Sequence, residues 1–303
     1  MKKGISFLLV VFSVFMLWYL FLKPSDYIIN FTSRSLPGTI NQSIKLWGMG
    51  LKNSSVPTQK NSQNIFQTLT FSDSIYEYNW KITPMNDSLS KVSVGITDDK
   101  LTNSIANRLK APFFKTDFTR RSENTVLEFM KVLKDHIDGF KVTIIGEEET
   151  PYKFLAYVAL TKKQFHKAQG MMENSNYISD ILLKNNIELD GFPIVEVLEW
   201  NKDTDSLTYN FGFPIKKIDS LANLGKVKFK SLQPQRGLKA IYNGNYITSD
   251  RAWYTLLNYA EKQKINLKET PIEIFHNNPH MGGDSMKWVT EVYFPINDTA
   301  PKN

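Results

Sequence analysis

The second half of the chain repeats itself, and this repeat constrains the fold more than any other feature of the 303-residue sequence. Phe213-Pro214-Ile215 recurs as Phe294-Pro295-Ile296 at the ends of two similar stretches. Each stretch has the hydrophobic pattern of a strand, a helix and two further strands. Because one such unit cannot bury its sheet face alone, we expect the two units, about 150–216 and about 232–297, to pair around one core.

Two further matches between the units support the repeat. They are 155–159 with 238–242, and 191–196 with 269–274. Glu196 and Glu273 are interpreted as occupying equivalent places in the two units, which favours a structural role for both carboxylates. The first unit is predicted to have a helix at about 162–185, broken at 174–176, and Ser249 or Asp250 is predicted to cap the helix of the second unit.

Four short motifs of the second unit follow one another in a set order. They are 240–246 (AIYNGNY), 252–256 (AWYTL), 271–273 (PIE) and 290–296 (TEVYFPI). In this order and spacing, residues 139–298 resemble the GyrI-like family, also called the AraC effector-binding or bacterial transcription activator effector-binding domain. The resemblance implies two strand–helix–strand–strand units about a pseudo-two-fold axis, with a ligand cleft between them. It also implies that Glu291 faces this cleft, in which some family members bind lipophilic cations and others act as hydrolases.

Glu291 is therefore the candidate charged residue of the cleft. Strand alternation puts Glu291 and Tyr293 on one face of the last predicted strand, and Thr290 and Val292 on the other. A carboxylate buried between Val289 and Tyr293 is costly unless it has a partner, so it suits a cationic ligand or an acid/base with a raised pKa. The alternative is a carboxylate on a solvated sheet face.

Three aromatic residues are predicted to line the same cleft. Tyr242, Tyr246 and Trp253 would form an aromatic box, which suits a cation or a flat apolar ligand. For Trp253 the alternative is an ordinary place in the core. With Glu291 and Tyr293 these residues make up the predicted ligand site, and Glu291 is the predicted catalytic residue if the protein is an enzyme.

No metal, cofactor or nucleic-acid partner is predicted. The chain has no cysteine, which excludes disulfides, thiolate catalysis and Cys-ligated zinc. His276 and His280 lie near Asp284, but Pro279 and Gly282-Gly283 prevent the helix that would bring both histidines to one metal. The net charge is +7, but the lysines are scattered and no helix-turn-helix precedes the repeat.

The N-terminus is predicted to be a membrane anchor, residues 1–24. The run 5–22 has eighteen residues without a charge, and as a helix it would span roughly 27 Å, close to the hydrocarbon thickness of a bilayer. Trp18 and Tyr19 near its end suit the interface, and no small-residue cleavage site follows. The lysines at the N-terminus favour a cytoplasmic N-terminus, with the body outside the cytoplasm and in the periplasm of a Gram-negative cell.

A separate domain is predicted for residues 25–138. The order is a strand at 27–31, a short helix from Pro37 to Trp47, three strands at 65–71, 75–82 and 89–96, and a long helix. The apolar stripe of that helix is Val126, Phe129, Met130, Leu133 and Ile137, with Ser122 or Thr125 as its cap and 138–139 as its end. This order resembles the START-like (SRPBCC) superfamily, which implies a helix laid across a curved antiparallel sheet, and the alternative is a generic α+β domain with a filled core.

The fold class is therefore α+β: an anchor, a START-like domain, a duplicated GyrI-like domain and a short tail, 299–303. The first functional hypothesis is a membrane-anchored protein that binds or senses a small lipophilic or cationic molecule. The second is a hydrolase acting on small electrophilic or xenobiotic compounds. The third is a non-catalytic envelope protein that binds a partner through its START-like domain.

Overall fold

Within the residues that the computed structural model describes, 2–217, 224–277 and 279–297, the chain is α+β with two antiparallel sheets. It divides into Met1–Lys134 and Asp135–Asn303, named unit 1 and unit 2 below. The predicted tail, 299–303, lies outside the described residues.

Unit 1 begins with an apolar helix, α1 (Lys2–Leu17), which continues through a π-helical turn, Trp18–Leu22. The stretch Gly4–Leu22 is 19 residues long and none of it is fully buried. It is long and apolar enough to cross a membrane, a property that follows from length and composition alone.

The five strands of unit 1 form one antiparallel sheet, with three helices between and after them. The strands are β1 (Tyr27–Ser33), β2 (Thr58–Asn61), β3 (Asn64–Thr70), β4 (Ile75–Asn86) and β5 (Leu89–Asp98), and the helices are α2 (Pro37–Gly50), α3 (Leu101–Lys110) and α4 (Asp117–Asp138), whose last turn, from Asp135, belongs to unit 2. The strand order is β1-β5-β4-β3-β2. Except for β2 and α3, each of these elements is predicted by the sequence.

Aromatic rings fill the core of unit 1. Residues of β4 alternate between buried and exposed, as expected of a sheet with one covered face. From the covered face, Trp80 meets Phe129 of α4 at 5.0 Å between ring centroids, and Trp47 of α2 lies 5.3 Å from Phe129 and 6.0 Å from Trp80. The gap between sheet and helices at this point is thus occupied by side chains.

The start of α4 differs from the prediction. The helix begins at Asp117, so neither Ser122 nor Thr125 caps it, and Ser122 is buried within the helix. Instead, the Thr119 N–H donates to Thr116 Oγ1 at 3.2 Å, and the Thr116 N–H donates to Thr119 Oγ1 at 3.0 Å. This reciprocal pair satisfies backbone donors at the helix start. The predicted end of the helix at 138–139 is confirmed.

Unit 2 contains the repeat as eight strands and two helices. In chain order these are β6 (Phe140–Glu149), β7 (Lys153–Lys163), α5 (Lys167–Lys184), β8 (Ile194–Asn201), β9 (Ser206–Pro214), β10 (Lys228–Leu232), β11 (Arg236–Gly244), α6 (Arg251–Gln263), β12 (Ile272–Phe275) and β13 (Val289–Pro295). The strand order is β10-β7-β9-β8-β12-β13-β11-β6. Each repeat has the predicted order of strand, helix, strand and strand, and the two repeats meet where β8 pairs with β12.

Two details of the repeat helices differ from the predictions. Helix α5 is continuous through 174–176, where a break was expected. Asp250 is the residue before α6, but no side chain there accepts a capping hydrogen bond. The side chains of Ser249 and Asp250 are instead buried and bonded to α5 and the turn before it, because Lys167 Nζ donates to Ser249 Oγ and Gln164 Nε2 donates to Asp250 Oδ2.

The strand register confirms the match of 191–196 with 269–274 and corrects two other expected equivalences between the repeats. Leu155 pairs with Pro214 as Gly237 pairs with Pro295, so Leu155 corresponds to Gly237 and the match at 155–159 moves by one residue. At the junction, Ile194 pairs with Ile274, and Ile272 pairs with Glu196. Glu196 therefore corresponds to Ile274, and Glu273 corresponds to Val195. The two carboxylates are not equivalent, and alternation puts them on opposite faces of the sheet.

The two faces of the unit 2 sheet have different surroundings. Helices α5 and α6 pack on one face, the helix face, where residues such as Tyr209, Tyr242 and Val292 join the core. The opposite face, named the open face, is covered by neither helix. It nevertheless holds a second cluster of buried apolar residues: Leu155, Ile194, Leu232, Ile272, Ile274 and Tyr293.

Candidate ligand-binding site

The five predicted site residues are divided between the two faces of the sheet. Tyr242 pairs with Thr290, and Ile241 pairs with Glu291. Directly paired residues of antiparallel strands share a face, so Glu291 lies on the open face and Tyr242 on the helix face. Tyr293, two residues after Glu291, is also on the open face, as predicted from strand alternation.

The three aromatic residues predicted as cleft walls belong to the core of the helix face. The Tyr242 hydroxyl lies 2.8 Å from Thr248 Oγ1, and the Tyr246 hydroxyl donates to the Val289 carbonyl at 3.1 Å. Trp253 is completely buried, and its Nε1 donates to Glu273 Oε1 at 3.0 Å. Each polar group thus has a partner inside the core. This corrects the predicted grouping, because the sheet separates these residues from Glu291.

Glu291 is partly buried, and its contacts with Lys239 and His276 are long. Its side chain is 22% exposed, and Oε2 accepts a hydrogen bond from the Tyr293 hydroxyl at 2.7 Å. Its Oε1 lies 3.4 Å from Lys239 Nζ and 3.5 Å from His276 Nε2, both longer than an ordinary charge-assisted hydrogen bond. Burial, reinforced by the Glu291 carboxylate, raises the pKa of Tyr293 to about 12, so Tyr293 remains a donor at neutral pH.

Lys239 is shared between two carboxylates. Its Nζ donates to Glu148 Oε2 at 2.8 Å, and it also lies 5.1 Å from the centroid of the Tyr293 ring. Burial opposes its charge, but hydrogen bonds to Glu148 and Tyr293 give a raised pKa for Lys239, which is therefore fully protonated. Glu148 and Glu291 each carry a negative charge, and Lys239 is the one ammonium that both carboxylates contact. These three side chains together therefore have a net negative charge.

The other repeat has a carboxylate on the open face that is fully partnered. Lys230 Nζ donates to both oxygens of Glu196, at 2.7 and 2.8 Å, and Asn210 Nδ2 donates to Oε2 at 2.7 Å. The residue that corresponds to Glu291 in this repeat is Asn210, as predicted. The sequence did not indicate Glu196 as an open-face residue, because its strand register was needed to decide the face.

Three isoleucines form an apolar floor between these two carboxylates. Ile274 pairs with both Glu291 and Ile194, while Ile272 pairs with both Glu196 and Tyr293. The three isoleucine side chains are buried although they lie on the face that neither α5 nor α6 covers. An apolar floor beside an under-compensated carboxylate matches the chemistry of a lipophilic cation.

Among the residues that the structure describes, no three His, Asp or Glu residues lie together in a way that could hold a metal ion. Asp284, one of the residues weighed as a ligand, instead accepts a hydrogen bond from the Met286 N–H at 3.0 Å at the start of a 3-10 turn. The side chain of His280 lies outside the described residues.

Comparisons with known proteins give only distant similarities. No family model matches the chain, and no curated protein matches it. The C-terminal domain of EcmrR is 16% identical, with a TM-score of 0.43 over 52% of this chain and 98% of that chain. SAV2435 bound to tetraphenylphosphonium is 17% identical, with a TM-score of 0.35 over 52% of this chain and 94% of that one.

A di-domain ARO/CYC protein, BexL, is similar over a longer stretch. It is 7% identical, with a TM-score of 0.26 over 89% of this chain and 85% of that chain. TM-scores this low do not assign a function, so a function for this chain must come from the contacts of the site itself.

Proposed function

We propose that unit 2 binds a small lipophilic cation on its open face, with Glu291 as the residue that recognises the charge. The observation that carries this proposal is the position of Glu291, a partly buried carboxylate at the edge of the isoleucine floor that shares Lys239 with Glu148. A cation there would be attracted by the Glu291 carboxylate without displacing a strong ion pair, because Lys239 can remain on Glu148.

The apolar part of such a ligand would enter between the side chains that now cover Ile194, Ile272 and Ile274, since these isoleucines are 1%, 1% and 6% exposed. The ring of Tyr293 supplies an aromatic edge to the same area, and its hydroxyl holds the Glu291 carboxylate in place. Selectivity for a cation over a neutral compound of the same size would come from Glu291, while most of the affinity would come from burial of apolar surface.

In this proposal the protein works at a membrane. Gly4–Leu22 anchors the chain, with the N-terminus in the cytoplasm and both units outside it. Unit 1 has a START-like role as a helix-on-sheet domain, and unit 2 is a GyrI-like ligand-binding domain. Lipophilic cations partition to membrane surfaces, so a binding or sensing protein anchored there would meet them at raised concentration.

Thermal unfolding of residues 25–303 tests the proposal. Tetraphenylphosphonium would be compared with uncharged triphenylphosphine oxide, because a ligand that binds only the folded state raises the midpoint by mass action. At one hundred times Kd we expect a rise of about 5–10 °C for the cation, and little for the neutral compound. Glu188→Gln is the matched control, since Glu188 is an exposed carboxylate of unit 2 that pairs with Lys216.

The rise should be lost in Glu291→Gln and kept in Glu188→Gln. An equal rise for the cation and the neutral compound would reject charge recognition at Glu291. No rise for any compound would reject the open face as a ligand site and favour the partner-binding hypothesis.

A hydrolase acting on small electrophilic compounds is the second candidate. The hydrogen bond from the Tyr293 hydroxyl to Glu291 Oε2, 2.7 Å long, is the observation that favours it. Glu291 would act as general base toward water and Tyr293 as its positioning donor. Turnover of activated esters that disappears in Glu291→Gln but not in Glu188→Gln would support this candidate over simple binding.

A further inference from the structure

A buried ion pair joins α3 to Asp26, in the chain that follows the apolar N-terminal helix. Arg108 Nε donates to Asp26 Oδ1 at 2.7 Å, and Ser104 Oγ donates to the same oxygen at 2.6 Å. Arg108 also reaches back to the helix end, where its guanidinium donates to the Leu20 carbonyl at 2.8 Å. Because the last carbonyls of a helix lack intrahelical partners, this contact both caps the helix and holds α3 against it.

A second contact sets the level of α3 along that helix. The Tyr19 hydroxyl donates to the Arg108 carbonyl at 2.9 Å. Helical side chains lean toward the helix N-terminus. The Tyr19 hydroxyl therefore lies closer to the middle of the apolar stretch than the Tyr19 backbone does. Trp18 and Tyr19 are the residue types that sit at a bilayer interface. The C-terminal end of α3 is therefore at the depth of the interface if Gly4–Leu22 spans the bilayer.

The chain that follows Arg108 presents bare aromatic rings. Phe113 and Phe114 are 78% and 68% exposed, and their ring centroids lie 6.5 Å apart. The turn stays close to α3, since the Phe114 N–H donates to the Lys110 carbonyl at 2.9 Å. Lys110 and Lys115 are exposed on either side of the rings. We name residues 109–115 the aromatic turn.

We propose that the aromatic turn inserts into the headgroup region of the bilayer leaflet from which the apolar helix emerges. This inference rests on the proposed anchor. Exposure of two neighbouring phenylalanine rings to water is unfavourable. Insertion would remove both rings from water and leave Lys110 and Lys115 at the level of the lipid phosphates. The turn would be a second membrane contact, and it would fix the orientation of unit 1 relative to the bilayer.

The test uses the full chain in phosphatidylcholine–phosphatidylglycerol vesicles. Since the sequence has no cysteine, each single-cysteine variant carries an environment-sensitive fluorophore at one site only. Phe113→Cys reports on the turn and Phe12→Cys on the middle of the apolar helix. Met85→Cys is the exposed control, because Met85 lies at the far end of β4, about 30 Å along the strand from the end near α3.

The proposal expects blue-shifted emission at position 113, quenched more by lipids with a shallow nitroxide than by lipids with a deep one. Position 12 should be quenched most by the deep nitroxide, and position 85 by neither. If the fluorophore at position 12 lies in the bilayer but the one at position 113 has water-like emission, the aromatic turn does not insert, and only the anchor remains supported. Water-like emission at position 12 would overturn the anchor. Blue-shifted emission at position 113 without lipid quenching would mean that protein covers the turn, which also overturns the proposal.

Discussion

Lys167 and Glu273 form an ion pair inside the core, with their side chains 1% and 0% exposed and Nζ 2.5 Å from Oε2. Lys167 lies at the start of α5 in the first repeat, and Glu273 lies on β12 in the second. Ser249 Oγ accepts a second hydrogen bond from Lys167, and Trp253 Nε1 donates to the other oxygen of Glu273. Burial raises the pKa of Glu273, and the ammonium of Lys167 opposes that increase. The pair therefore joins the two repeats through buried charges.

Removing one partner of this pair should destabilise unit 2 strongly. Lys167→Met leaves the Glu273 carboxylate buried without a cation, and we expect a loss of about 3–5 kcal/mol in the free energy of unfolding. Urea unfolding of residues 25–303 measures the loss.

The double variant Lys167→Met/Glu273→Leu should lose less than Lys167→Met alone, because no uncompensated charge remains in the core. A double variant as unstable as the sum of the two single variants would show that the ion pair does not couple these residues. Lys202→Met is the matched control, because Lys202 is paired with Glu269 at the surface and should change stability by less than about 1 kcal/mol.

Unit 2 should also become less stable as the pH falls, because His136 is buried in its neutral form. Its ring accepts a hydrogen bond from Arg251 Nε at 3.1 Å, and burial, together with the Arg251 charge, lowers the pKa of His136 from 6.5 to about 4. Between these two values the unfolded chain binds a proton that the folded protein does not, so stability decreases as the pH falls. The expected loss between pH 6.5 and pH 4 is about 3 kcal/mol.

Carboxylates titrate in the same range, so the comparison needs a variant. His136→Gln keeps an acceptor for Arg251 but has no titrating group. Between pH 6.5 and pH 4, its free energy of unfolding should fall by about 3 kcal/mol less than that of the wild type. Equal pH dependence of the wild type and His136→Gln in urea unfolding would contradict a buried neutral histidine.

Gly170 on α5 gives a prediction whose sign depends on another residue. A Cβ at Gly170 would lie 2.2 Å from the Tyr209 hydroxyl, which is buried and donates to the Lys167 carbonyl. Gly170→Ala should therefore destabilise the protein by about 1–3 kcal/mol through overpacking. In a Tyr209→Phe background the hydroxyl is gone, and the same substitution should stabilise by up to about 1 kcal/mol, the helix propensity of alanine. Thermal unfolding of the four proteins tests it, and destabilisation in both backgrounds would contradict the steric explanation.

Much of the fold follows from local patterns in the sequence. The stripe of α4 and the alternation of β13 each depend on side chains a few residues apart, so periodicity predicts which face is buried. The repeat predicts two strand–helix–strand–strand units because the hydrophobic pattern of each element is local to a short stretch of sequence. Strand β6 was not predicted, although Phe140, Val142 and Ile144 alternate with polar residues and would have indicated it.

The candidate site depends on pairings that are distant in the chain. A shift of one residue in strand register exchanges the two faces of a sheet, so the sequence alone cannot decide that Glu196 and Glu291 share the open face and that Glu273 does not. The contact of Lys239 with Glu148 joins β11 to β6, about ninety residues apart in the chain. Tyr242 and Trp253 were predicted to line the same cleft as Glu291, but they lie in the core on the opposite face of the sheet.

Cation binding at Glu291 is tested most directly by calorimetric titration of tetraphenylphosphonium into residues 25–303. One substitution removes a negative charge from the site, and another removes a positive charge. Glu291→Gln removes the proposed acceptor of charge and should weaken binding about tenfold. Lys239→Met removes the cation that competes for Glu291 and should strengthen binding about fivefold, while Lys216→Met at an exposed pair should change nothing. Weaker binding in Lys239→Met, or unchanged binding in Glu291→Gln, would contradict the proposal.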